Sequence, residues 1–357
     1  MKPELQGLLS DPVLSLPLVY QDDQQTHYQL VSRHLNAYVR LLVANRRALG
    51  GLYRQGLRTA DTVERGVKLC GSGQPGSAFS ELRQFCLEEV PSLSNWPQRH
   101  YGAGSAFYRV RSAEFGREPF SRNELFHHAF NLDGKVGTQR FSVPGYPCLY
   151  VGNTLCVCCL EVGCLQGPLI RTVQLEAQRP FRVVDLSPDV FYGAPVGALP
   201  PLLASQYLLL WPLVAACSVR VRESRRADSH KPEYPFPQLV LQHLMRFFQE
   251  TLKREGYAAP LLGIRYLSTR PRVAAPAGDF ENLVLPPFDY QPGSRPGRKY
   301  SRLLCRTFHM SDVTEISRTP ANGWRVDGSD FPDKALYSGV LQGALGAMLQ
   351  PRSIDFS

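Results

Sequence analysis

The chain has 357 residues, enough for one large domain or two ordinary ones around a sizeable core. Hydrophobic residues make up 43% and charged residues 20%, globular values that exclude wholesale disorder. The net charge of +9 favours anionic partners such as a phosphorylated cofactor, but the arginines are dispersed rather than clustered with aromatics, which argues against a nucleic-acid interface. The first 22 residues read as irregular, and MKPELQGLLSDPVLSL lacks the continuous apolar stretch of a signal peptide. The longest apolar run, 207–219, is interrupted by Pro212 and too short to span a bilayer, so a soluble, cytoplasmic protein without membrane contact is expected.

From about Gln24, the helical spacing of Val31, Leu35, Tyr38, Leu42 and Leu49 predicts a helix ended by Gly50-Gly51. A second helix is expected over roughly 55–70. The stretch from Gly71 to Gly76 is formally a GxGxxG, with Glu88 and Glu89 following at a suggestive distance. The preceding TVERGVKLC is helical in character rather than strand-like, and Pro75 sits where the dinucleotide helix would open, so an interhelical loop is expected. A short helix over 78–90 and a linker over 91–98 complete a helical N-terminal region, 1–98.

Beyond residue 101 the texture changes to short strands and Gly/Pro turns. The strand at 107–111 (FYRVR) places Arg109 and Arg111 on one face. In ELFHHAF (124–130) the adjacent His127 and His128 would face opposite sides of a strand, and satisfied core or surface histidines are commoner there than ligands. The stretch from Arg140 to Glu161 is the most informative. Arg140 lies on a short strand, TQRFSV; Pro144-Gly145 makes a turn; the strand PCLYV, able to pair with the first, carries Tyr150. Gly152-Asn153 breaks it, Asn153 is a candidate N-cap, and 154–161 reads as a short apolar helix whose one charge is Glu161. An unpaired carboxylate in apolar surroundings costs of order 1–5 kcal/mol, so a cation is expected to face it.

Four of the nine cysteines (Cys156, Cys158, Cys159, Cys164) crowd into this stretch. Cys156 and Cys159 form a CxxC with no second Cys/His pair at ligand spacing, so reduced core thiols, a reducing compartment and no metal site are expected. Strands follow at 168–177 and 181–187, and a buried segment at 203–222. The sequence YPFPQ, 234–238, leads into an amphipathic helix (Leu241, Leu244, Met245, Phe248, Leu252) capped by Gly256. Further strands are expected at 263–268 and in FENLVLPP, and the basic runs 218–226 and 294–302 read as solvated loops. Past about 290 nothing else is assigned.

The spacing of Arg140, Gly145, Pro147, Tyr150 and Glu161 resembles the RES domain family, named for its arginine, glutamate and serine. Arg109 falls on the arginine of that family's opening [FLW]-x-R strand. ELFHHAF is similar to its L-F-H-x-P-F, with Ala129 where proline is usual, which leaves His127 and His128 as candidates only. Tyr234 and Gln238 match a Tyr-Pro-x-x-Gln, Ser268 matches the family serine, and Asn282 falls on the asparagine of its last strand. The resemblance covers about 105–290. It implies an α+β, ADP-ribosyltransferase-like fold of twisted sheets with flanking helices, in a RES-like catalytic domain over 99–330 and with a tail over 331–357.

The resemblance implies NAD+ as substrate, with phosphate or water as acceptor. In such a site Glu161 would stabilise the positive charge that develops at the ribose carbon, and Arg109 and Arg140 would hold pyrophosphate or ribose oxygens by multi-donor contacts. Tyr150 and Tyr234 would stack on nicotinamide, and Ser268 would bond the ribose or position the acceptor. Glu161, Arg140 and Ser268 are the candidate catalytic residues, and the scheme needs no metal. The best-known members of the family are toxins held by an antitoxin, so the resemblance implies an antitoxin or other regulatory protein as partner. ADP-ribosyl transfer onto a protein and a non-catalytic basic binding module are the competing functions. A purely structural alternative makes Arg140 and Glu161 an internal ion pair.

Overall fold

The computed structural model describes residues 3–114, 121–165, 167–187, 191, 199–255, 259–270, 280–289, 299–321, 323–332 and 334–354. Its helices are α1 (Pro3–Leu9), α2 (His27–Ala44), α3 (Arg46–Leu49), α4 (Gly51–Gly71), α5 (Pro75–Glu89), α6 (Leu155–Val162), α7 (Pro201–Cys217), α8 (Pro235–Glu255), α9 (Arg302–Thr307), α10 (Lys334–Tyr337) and α11 (Val340–Met348). Its strands are β1 (Gln98–Tyr101), β2 (Ala106–Ala113), β3 (Leu149–Gly152), β4 (Leu169–Ala177), β5 (Phe181–Asp185), β6 (Leu261–Leu267), β7 (Glu281–Leu285), β8 (Phe308–Met310), β9 (Thr314–Arg318), β10 (Trp324–Val326) and β11 (Ser329–Phe331). The class is α+β, with the helices concentrated at the N-terminal end. Contacts divide the chain into two compact units: Met1–Gln98 with Thr138–Val143 and Val184–Phe247, and Arg99–Gly137 with Pro144–Val183 and Phe248–Ser357. Among the described residues no helix is long and apolar enough to cross a membrane.

The first unit is helical. Thr26 and Gln29 close a capping box at the start of α2, and Leu30, Val31, Leu35, Tyr38 and Leu42 bury the face that the spacing predicts. Gly50, at φ +55°, turns the chain from α3 into α4. The GxGxxG stretch is an interhelical turn, because α4 runs through Gly71 and α5 opens on Pro75. Two expectations need correction. Residues 1–22 are not wholly irregular, since α1 and a 3-10 turn at Pro12–Leu14 form there. The presumed linker 91–98 contains a 3-10 turn, Leu93–Asn95, and the buried Trp96.

The buried segment expected at 203–222 is helix α7, apolar on every side, so its sequence carries no amphipathic period. Pro212 lies inside it and removes the N–H that would bond the Leu208 carbonyl. Tyr38 fills that place: its hydroxyl donates to the Leu208 oxygen at 2.9 Å while its ring stacks on Trp211, centroids 5.1 Å apart. Gly256, expected to cap α8, lies outside the described residues.

The second unit is built on a sheet of order β1-β5-β6-β7-β3-β2-β4-β9-β10-β11, with β8 also on β4. Long antiparallel registers join β2 to β4 and β6 to β7. The last strands lie past residue 290, where the sequence supplied no assignment: they are three to five residues long, too short for a periodic signal. Among the described residues, an ion pair is buried in this sheet. Arg265 Nη2 meets Glu281 Oε1 at 2.5 Å, both side chains at most a tenth exposed, and the Tyr101 hydroxyl donates to Glu281 Oε2 at 3.0 Å.

Candidate active site

In the second unit, α6 is seated on β3 and β2 and carries Glu161 in its last turn. Thr154 caps it, its Oγ1 accepting the Val157 N–H at 3.1 Å. The expected cap, Asn153, is committed elsewhere: its N–H donates to the Glu281 carbonyl and its Oδ1 accepts the Glu281 N–H, which ties the start of α6 to β7. The Cys158 thiol donates to the Tyr108 carbonyl at 3.0 Å, and Cys156, Cys158, Cys159 and Cys164 are all buried. Gly152 is required by the closeness of the packing, because a Cβ there would stand 2.5 Å from Val157 Cγ1 and 2.7 Å from Cys158 Sγ. Gly152→Ala is therefore expected to lift α6 from the sheet and cost about 1–3 kcal/mol. Denaturant unfolding measures this, and unchanged stability would contradict the seating of α6.

Glu161 is held at both oxygens. Asn282 Nδ2 donates to Oε1 at 3.0 Å, and Arg270 Nε lies 3.7 Å from Oε2 while its Nη2 donates to the Glu161 carbonyl at 3.0 Å. The carboxylate side chain is 32% exposed, open enough to meet a ligand. Ser268 is buried directly after β6, and its Oγ accepts the Arg270 N–H at 3.2 Å, so Arg270 bridges Ser268 and Glu161. Sequence reasoning asked for a cation at Glu161 but did not name Arg270. It stands two residues beyond the family serine, outside every motif, and the lone charge of α6 was the only pointer to it. Arg109 on β2 donates from Nη1 to the Tyr150 carbonyl on β3 at 3.3 Å. Burial, aided by the nearby Arg111, lowers its pKa to about 10, which leaves it cationic at neutral pH.

Arg140 and Tyr234 belong to the first unit. Arg140 is buried, donates to the Cys217 carbonyl at 3.1 Å, and sits with its guanidinium carbon 5.4 Å from the centre of the Tyr234 ring. The expected strand TQRFSV does not form. The chain turns there, Gln139 N–H bonding the Ser142 carbonyl, and the Gln238 side-chain amide donates to the Gln139 carbonyl at 2.9 Å and the Ser142 carbonyl at 3.3 Å. Carbonyls that a partner strand would have used are taken by a side chain from α8.

His127 is a structural residue. Its Nδ1–H donates to the His128 carbonyl at 2.7 Å and its Nε2 accepts the Ser301 N–H at 2.9 Å, a pattern only the neutral ring can make. Burial lowers its pKa to about 4. The unfolded chain, with an ordinary pKa near ~6.5, binds the extra proton first. The neutral ring's contribution is thus complete above that value and is lost as pH falls toward 4, about 3 kcal/mol at most. Unfolding free energies at pH 7 and 4.5 are expected to differ more in the wild type than in His127→Gln.

The class follows from a family match: the model of the RES domain covers residues 106–301, and the chain belongs to that family. The match takes in both strands that carry Arg109 and Tyr150, the helix ending in Glu161, and Ser268 and Asn282. Among individual relatives, the Bacillus subtilis (strain 168) protein named "Putative toxin YopC" is 31% identical over 179 residues, which are 46% of this chain and 36% of that protein's length. Among solved structures, the crystal structure of the M. tuberculosis MbcT-MbcA toxin-antitoxin complex aligns with 61% of this chain and 87% of that one, at 12% identity and a TM-score of 0.28.

Proposed function

We propose that this chain is a toxin-like enzyme that cleaves the nicotinamide–ribose bond of NAD+, with inorganic phosphate or water as acceptor, on an ADP-ribosyltransferase-like arrangement of its sheet. The observation that carries the reading is Glu161: a carboxylate at the end of a helix, oriented by Asn282 and Arg270 and still open to a ligand. Cleavage moves the bond's electron pair onto nicotinamide, which leaves neutral, and an acceptor oxygen takes its place on the ribose carbon. Positive charge builds on that carbon in between, and a carboxylate already oriented stabilises it without reorganisation.

Arg109 and Arg140 are the cations for pyrophosphate or ribose oxygens, whose planar guanidinium donors suit them better than lysine would. Tyr150 and Tyr234 supply ring faces for nicotinamide. Ser268, whose Oγ accepts the Arg270 N–H, is the residue to bond the ribose or position the acceptor. No step calls for a metal. Membership of the RES family and likeness to a relative named as a toxin support the toxin-like role. They also support an antitoxin or other regulatory protein as partner, and the cytoplasm, where NAD+ is consumed, as the place of action.

The test is to incubate the purified chain with NAD+, with and without phosphate, and to follow nicotinamide and the ADP-ribose products by chromatography. Phosphate-dependent formation of a phosphorylated ADP-ribose identifies a phosphorylase, and free ADP-ribose a hydrolase. ADP-ribose attached to protein would favour the transferase. Absence of nicotinamide release under every acceptor overturns the proposal.

A further inference from the structure

The first unit contains a cavity of about 550 Å3 whose wall is formed by the start of α2, the end of α4 and the stretch 222–235. None of the residues assigned above to NAD+ lines it. Glu233 does, and it is 1% exposed: the Tyr20 hydroxyl donates to Oε1 at 2.6 Å, whereas Oε2 is buried and receives no donor. Burial, and then the bond to Glu233, push the Tyr20 hydroxyl far above its usual range, so it stays a donor. A carboxylate oxygen stripped of water without a replacement donor is rare in native interiors and calls for an explanation.

Two further facts show what would complete the site. His27 Nε2, also in the wall, is buried without a partner, and burial together with Arg140 keeps the ring neutral, with a pKa of about 4, free to donate or accept. Arg222 forms no hydrogen bond or ion pair with Glu233: its guanidinium lies 4.0 Å over the Tyr20 ring and donates to the carbonyls of Asp22, Asp23 and Gln25. Lys68 and Arg225 line the cavity as exposed cations that, among the described residues, have no anionic partner, and the amino end of α2 joins them there. The exposed Asp23 is the one other carboxylate in the wall. The cavity wall therefore carries both a buried carboxylate acceptor and net positive charge.

A free phosphate would bring few donors and a like charge to Glu233, and an amine or metal cation would face the unpaired Lys68 and Arg225. We propose that this cavity binds a ribose phosphate, as in a mononucleotide, with ribose hydroxyls donating to Glu233 and His27 and the phosphate held by Lys68, Arg225 and the amino end of α2. Carboxylates bind ribose hydroxyls in this manner elsewhere, and the volume falls within the usual range of small-molecule sites.

The experiment is calorimetric titration of the full chain with ribose 5-phosphate and, separately, with inorganic phosphate. One ribose 5-phosphate is expected per chain, at least ten-fold tighter than phosphate. Glu233→Gln is expected to weaken it ten-fold or more, as is the exposed double change Lys68→Ala with Arg225→Ala, which carries the test if Glu233→Gln does not fold. Glu161→Gln is expected to leave this binding unchanged, which separates the cavity from the proposed NAD+ site. No binding at millimolar ligand, binding indifferent to both sets of changes, or binding lost in Glu161→Gln would each overturn the assignment.

Discussion

Glu161→Gln is expected to reduce NAD+ turnover by roughly two to three orders of magnitude, the scale on which one preorganised electrostatic group acts on a transition state. The glutamine keeps the size of the side chain and an oxygen that can accept from Asn282 Nδ2, now 3.0 Å from Glu161 Oε1. It loses the charge opposite Arg270. That pair is 3.7 Å apart and partly exposed, so its loss costs the fold no more than about 1 kcal/mol. The expected signature is thus a large fall in nicotinamide release with an unfolding midpoint close to that of the wild type. Turnover within a few-fold of wild type would remove Glu161 from the proposed chemistry, whatever the fate of the fold.

Glu281→Ala is expected to destabilise the protein by about 3–5 kcal/mol, because it removes the anion that the fully buried Arg265 Nη2 meets and the acceptor that the Tyr101 hydroxyl uses. The effect should reach beyond the sheet. Glu281 bonds Asn153 through both backbone groups and precedes Asn282, so the strand end that loosens is the one that positions α6 and Glu161. Replacing both charges with apolar residues, Arg265→Met with Glu281→Leu, is expected to recover most of the lost stability, since the cost lies in removing one half of a buried pair rather than in lacking the pair. Denaturant unfolding of the three variants checks this. A double variant as unstable as Glu281→Ala would show that the pair itself, not its uncompensated half, holds the strands.

The legible parts of the chain were those whose signal is local. The α2 face of Val31 to Leu42 and the strand bearing Arg109 came from periodicities of 3.6 and 2, and the strand bearing Tyr150 from an apolar run bounded by turn residues. Glu161 at the end of a short apolar helix could be read in the same way, and with it the demand for a cation. The misread parts share one cause. TQRFSV has strand-like residues, but its carbonyls are bonded by the Gln238 amide from about a hundred residues away. Asn153 is a good cap by type, yet Glu281 claims it and Thr154 caps instead.

The residues themselves therefore determined most of the element types and the order of Arg109, Arg140, Tyr150, Glu161, Tyr234 and Ser268, because propensity, capping and spacing act over a few residues, and the resemblance to the family supplied the α+β class. Tertiary structure decided which cation meets Glu161, how Arg140 is held beside Tyr234, how Tyr38 makes good the bond that Pro212 removes, and where Glu233 is buried. Each of those outcomes is a pairing between polar groups tens to hundreds of residues apart. Once buried, such groups must find partners wherever the fold brings them, and no local pattern records the choice.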